Sequence, residues 1–140
     1  MNANDCLSPQ DARLEVLGQE ECLRLLGTVP VGRIIYTRQA LPAVELVNFI
    51  LHDGSIVFRT SASGKLAAAI RETVVAFEAD SVSSASHVGW SVTAIGKARM
   101  VTGQAAIESL DQTGLSSWVP GPHEYFVSIV PSILTGRRLC

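Results

Sequence analysis

Residues 56–71 read IVFRTSASGKLAAAIR, and the fold turns on how this stretch divides. Ile56–Thr60 predicts a short strand. Thr60–Gly64 is small and polar and predicts a turn. Lys65–Arg71 predicts a helix, with Ser63 as its N-cap. A strand thus delivers the chain to the positive end of a helix, where backbone N–H groups lack intrahelical partners. Arg59, Thr60, Ser61, Ser63 and Lys65 gather at that junction. Hydroxyls and two cations beside such an end suit a phosphate group. An ordinary capped helix with solvated Arg59 and Lys65 is the other reading of the same residues.

Working outward, strands dominate on both sides. Val31–Thr37 (VGRIIYT) and Pro42–Leu51 (PAVELVNFIL) precede the stretch, joined by a short turn at Arg38–Leu41. The near-continuous apolarity of the second predicts a strand covered on both faces. Asp53-Gly54, within His52–Ser55, signals a hairpin into Ile56–Thr60. Val74–Asp80 (VVAFEAD) follows the helix. After a polar loop at Ser81–Ser86 comes His87–Val101 (HVGWSVTAIGKARMV), the longest strand candidate. Its two-residue period predicts one buried face, carrying Val92, Ala94, Gly96, Ala98 and Met100. Gly96 is a candidate bulge. Tyr125–Leu139 is the last strand, with an interruption at Pro131. Helices are predicted over Gln19–Leu26, ending at Gly27, and from a Thr102 cap to about Leu110. Six strands joined mostly by short turns predict a closed or nearly closed barrel, which removes exposed edges.

At 140 residues the chain predicts a single domain, 1–140, with residues 1–12 as an N-terminal arm. Hydrophobic residues make up 47% and charged residues only 17%, so surplus apolar surface predicts an oligomer. A net charge of −2 argues against nucleic acid as the main partner. No apolar run approaches the roughly 18 residues that cross a bilayer. The start, MNANDCLSPQDARLEV, does not read as a signal peptide, which predicts a cytoplasmic location. Cys6, Cys22 and Cys140 are widely separated and show no metal-ligand spacing, and no metal site is predicted.

In order, the chain runs VGRIIYT, PAVELVNFIL, IVFRTSASGKLAAAIR, VVAFEAD, GWSVTAIGKARMV and IVPSILTGRRL. This series resembles the pyridoxamine 5′-phosphate oxidase-like family of FMN-binding split barrels, over about Gln19 to Leu139. The resemblance implies a mainly β fold with short helices, arranged as a six-stranded split β-barrel. It implies a homodimer with two equivalent cofactor sites at the subunit interface, and an FMN-dependent oxidoreductase acting on a small-molecule substrate. It places the flavin ring along the backbone of Leu46, Val47, Asn48 and Phe49, and the cofactor phosphate on Arg59, Thr60, Ser61 and Lys65. Ser91, with Trp90 beside it, stands where the family often carries a Gln near the flavin. Gly64-Lys65 stands where its oxidases often carry Arg-Lys. The chain ends at Cys140 without the Arg- and His-bearing segment that grips pyridoxal phosphate, so it resembles the short branch of the family. That branch also includes users of the deazaflavin coenzyme, and some relatives bind haem; a cofactor-free or non-catalytic barrel is the competing class.

Other polar residues read as follows. Asn48 interrupts the apolar run Leu46–Leu51 and needs a backbone or ligand partner, because an unpartnered buried amide costs on the order of 1–3 kcal/mol. Trp90 is a candidate for stacking or for the interface. Trp118 and His123 lie near the loop WVPGP, where they are candidates to cover or approach the site. Glu78 and Asp80, two residues apart on one strand face, predict a solvated or salt-bridged pair rather than a catalytic one. No catalytic acid or base is visible.

Overall fold

The computed structural model describes residues 14–61, 65–117 and 124–139. Its strands are β1 (Leu14–Leu17), β2 (Val31–Arg38), β3 (Leu41–His52), β4 (Ser55–Ser61), β5 (Val74–Ser83), β6 (Val88–Met100) and β7 (Glu124–Leu139). Three short helices punctuate them: α1 (Gln19–Leu26), α2 (Lys65–Ile70) and α3 (Gln104–Asp111). The strands run β7-β4-β3-β2-β5-β6, all neighbours antiparallel, and β6 pairs back onto β7 to close a ring of six. β1 adds to the edge of β7 that β4 leaves free, through Leu14↔Leu139 to Leu17↔Gly136.

Four expectations change in detail. β3, predicted as covered on both faces, leaves Leu41, Val44 and Leu46 more than half exposed in its first half. Leu14–Leu17, for which no element is predicted, is a seventh strand. Pro131 does not interrupt β7: the strand continues and absorbs the proline in a bulge. Register steps from Ile95↔Ile133 to Gly96↔Pro131, and the hydroxyl of the extra residue, Ser132, donates to the Ile95 carbonyl at 3.0 Å. Gly96 belongs to this irregularity because a Cβ there would lie 2.2 Å from the Val130 carbonyl oxygen. Gly103, not Thr102, is the N-cap of α3, with φ of 100°. The Ser63 cap and the N-terminal arm lie outside the described residues.

Strand parity builds the core. Across the ring, Ile34, Phe77 and Ala94 are register partners and point inward, at 0%, 0% and 1% exposure. Phe49 meets Phe77 edge to face, with centroids 4.8 Å apart. Gly32 makes room for the Phe77 ring, since a Cβ there would lie 2.3 Å from its Cζ. α1 closes one side of the barrel with Cys22, Leu25 and Leu26. Its exterior is tied to β7 by Arg138, which donates to Glu21 at 2.8 Å. Arg24 first, and Arg138 with it, hold the Glu21 carboxyl down at about 2. A separate apolar cluster of Val57, Leu110, Leu115 and Phe126 seats α3 on the outside of β4 and β7.

The outward phase of the same strands carries an apolar row, Val44↔Ile35↔Ala76↔Ile95↔Ile133, with Val44 61% and Ile133 53% exposed. Beside it, Arg33 bridges the two predicted carboxylates, reaching Glu78 at 3.2 Å and Asp80 at 3.1 Å. Burial, then the neighbouring Asp80, push Glu78 up to about 7 against the pull of Arg33. The folded chain therefore holds this proton more tightly than the unfolded chain. Stability from this group is full below the ordinary 4.5 and is lost as pH rises towards 7. Glu78→Gln is expected to remove that fall. Its stability should exceed wild type by about 1 kcal/mol at pH 8, after discounting for solvent screening, and match it near pH 4.5. Urea denaturation at both pH values measures this, and equal pH profiles for the two proteins would refute it.

Candidate functional site

The site arises where two neighbouring strands part. β3 pairs with β2 along Leu41–Asn48 but with β4 only along Phe49–His52. β4 pairs with β7 from Ile56↔Ile129 to Ser61↔Glu124, and beyond Phe58 β7 is its one strand neighbour among the described residues. Among the described residues, no strand covers the second edge of β3 from Leu41 to Asn48. Backbone N–H and C=O groups on such an edge need partners from water or a ligand. Between the diverging strands lies a cleft of about 610 Å³, within the usual range for small-molecule sites.

The cleft brings together most of the residues singled out from the sequence. Leu46, Val47 and Asn48 form its β3 wall, and Arg59, Thr60, Ser61 and Lys65 form its β4–α2 wall. Thr60 is buried at 8% exposure, while Lys65 is exposed at the first position of α2. Asn48 donates through Nδ2 to the Ser116 carbonyl at 3.5 Å, so its amide has a backbone partner at the cleft rim.

Arg59 borders the cleft, but its guanidinium is engaged on the α3 side. It donates to the Leu115 carbonyl at 3.2 Å and lies 3.3 Å from Glu124. It also stacks over the Phe126 ring at 4.5 Å. These partners, together with strand parity that turns Arg59 away from Thr60 towards α3, commit the guanidinium elsewhere.

Phe49, Trp90 and Ser91 do not line this cleft. Phe49 is a core residue at 3% exposure. Trp90, 4% exposed, lines a different cavity of about 420 Å³ with Thr28, Val29 and Ser81. Ser91 sits mid-sheet between Asp80 and Arg137. Trp118 and His123 fall outside the described residues.

The cleft residues that sequence reasoning missed include three long polar ones, Tyr36, Arg38 and Glu45. Tyr36 follows Gly32 and Ile34 on the inward phase of β2, and Glu45 lies between Ala43 and Val47 on the inward phase of β3. The Tyr36 hydroxyl donates to the Glu45 carboxylate at 2.6 Å. A carboxylate on an inward phase was the available signal. Only the parting of β3 from β4 explains why it is solvated there.

A six-stranded ring that opens between two strands, with a lysine and hydroxyls on one lip and, among the described residues, a bare strand edge on the other, defines a split barrel with a ligand cleft. Residues 18–138 match the pyridoxamine 5′-phosphate oxidase family, and the chain belongs to that family. It is 38% identical over 138 residues to the uncharacterised protein Rv0080 of Mycobacterium tuberculosis, covering 94% of this chain and 90% of that one. Among solved structures, it resembles the FAD binding protein of Mycobacterium smegmatis. That match has 32% identity and a TM-score of 0.80, covering 89% of this chain and 98% of that one. A conserved Corynebacterium diphtheriae protein of unknown function is 27% identical with a TM-score of 0.76, covering 91% and 98% of the two chains. Among the described residues, no helix is long and apolar enough to cross a membrane.

Proposed function

We propose that the cleft binds a flavin and that the protein is a flavin-dependent oxidoreductase acting on a small molecule in the cytoplasm. One observation carries the reading: the edge of β3 at Leu46–Asn48, unpaired among the described residues, faces Thr60, Ser61 and Lys65 across a single cleft. A planar, amide-rich ring suits the strand edge, and a phosphate suits the lysine and hydroxyls. The bound flavin would supply hydride transfer through its ring. The chain's part is to anchor the phosphate at Lys65, orient the ring along β3, and exclude water with Leu46 and Val47.

FMN is the cofactor expected from the sequence, and FAD joins it because the Mycobacterium smegmatis relative is an FAD binding protein. The deazaflavin coenzyme is the alternative, since its phosphate would use the same lysine. We further propose a homodimer. The outward apolar row from Val44 to Ile133 supports it, being the kind of surface a second subunit covers. In such a dimer Trp90 and Ser91 would approach the cofactor held by the partner subunit.

Fluorescence titration of the purified protein with FMN, FAD and the deazaflavin coenzyme tests the reading. Micromolar or tighter binding of a flavin is expected. Binding of the deazaflavin alone would replace the cofactor, and binding of none would remove the cleft from cofactor chemistry.

A further inference from the structure

The cleft carries a polar pair that a phosphate anchor does not use. Tyr36 is 6% exposed, yet its hydroxyl reaches Glu45 at the cleft surface. Burial first, and the Glu45 bond with it, push the tyrosine up to about 12, so the hydroxyl keeps its proton and stays a donor. That bond consumes the single proton of the phenol. What Glu45 then offers to a ligand is acceptor capacity alone, on a carboxylate held in place from behind. Such a group repels anions and binds ligand hydroxyls. Lys65, Thr60 and Ser61 on the same cleft offer donors, and Arg38 also lines it. The cleft therefore fits a ligand that joins an anion to a hydroxyl-rich chain better than it fits either alone.

We propose that Glu45, positioned by Tyr36, accepts hydrogen bonds from the sugar-type hydroxyls of the flavin and so selects a polyol-bearing cofactor. This rests on the flavin reading above. The hydroxyls have two possible sources: the ribityl chain common to riboflavin, FMN and FAD, or the adenosine ribose of FAD. Carboxylates recognise ribose hydroxyls in dinucleotide sites by the same chemistry.

Affinities of lumiflavin, riboflavin, FMN and FAD for wild type, Glu45→Gln and Tyr36→Phe test the proposal. Riboflavin is the cleanest probe, because it carries the polyol without the phosphate charge. Glu45→Gln is expected to weaken riboflavin about tenfold while leaving lumiflavin, which lacks the chain, within about twofold. Tyr36→Phe should weaken the same ligands by a smaller factor, since it loosens Glu45 without removing it. A loss shared by riboflavin, FMN and FAD assigns the ribityl chain; a loss confined to FAD assigns the adenosine ribose. Unchanged affinities in Glu45→Gln would overturn the proposal, as would tighter FMN binding, which would make Glu45 only a repeller of phosphate. Those outcomes leave the flavin reading standing. A wild-type protein that binds none of the four ligands would refute both.

Discussion

Lys65→Ala is expected to weaken flavin binding about tenfold or more, with little change in the stability of the fold. Lys65 is exposed at the start of α2, so its ammonium contributes little to the barrel. On the β4–α2 wall it stands with Thr60 and Ser61, whereas the other cation there, Arg59, is bound to the Leu115 carbonyl, Glu124 and the Phe126 ring. On this wall the phosphate would therefore draw its charge-assisted contact chiefly from Lys65, with Arg38 the cation on the β2 side of the cleft. The loss should be greatest at low ionic strength, because salt screens an exposed charge. Titrations of both proteins with FMN and FAD at two salt concentrations measure it. Equal affinities, with the wild type binding normally, would exclude Lys65 from the site. Riboflavin, lacking the phosphate, should be nearly indifferent to the substitution.

Phe77→Ala is expected to cost about 3–5 kcal/mol, the range for deleting a buried phenylalanine. Phe77 is fully buried at the centre of the ring, edge to face with Phe49 and pressed against Gly32. Its strand β5 is laddered to β2 at Ala76–Glu78 and to β6 along its whole length, so the barrel cannot easily collapse into the void. Since domains of this size are stable by about 5–15 kcal/mol, the variant should lose a large share of its margin. Gly32 pairs with Val47, a cleft residue, so the cavity would open directly behind the β3 wall. Urea unfolding gives the number. A loss under about 1 kcal/mol would mean that the interior repacks, contrary to the close contacts on both faces of the ring.

The fate of the site residues shows what could be read in advance. Thr60, Ser61 and Lys65 were legible because a strand, a polar turn and a helix start follow one another within ten residues, so local geometry alone brings them together. Leu46–Asn48 was legible only through the family resemblance, because its distinguishing feature is a missing neighbour, and a missing neighbour leaves no mark on a strand's own residues. Phe49, next in line, falls at the point where β4 pairs with β3, and there it joins the core. Arg59 illustrates parity: adjacent to Thr60 in sequence, it occupies the opposite face of the strand.

Local signals in the chain marked every element except β1, and their order. Two-residue periodicity marked the strands, Asp53-Gly54 marked the hairpin, with φ of 52° and 78° in the turn, and the ordered motifs marked the family. These signals are local, or follow one another along the chain. The tertiary structure alone decided where β3 and β4 part, that β1 fills the edge of β7 that β4 leaves, and that Pro131 rides in a bulge rather than ending a strand. It also decided that Tyr36 and Glu45, nine residues apart, form one hydroxyl–carboxylate pair inside the cleft. Such pairings depend on cross-strand register, which is set by the packing of the whole ring and is written in no single stretch of the chain.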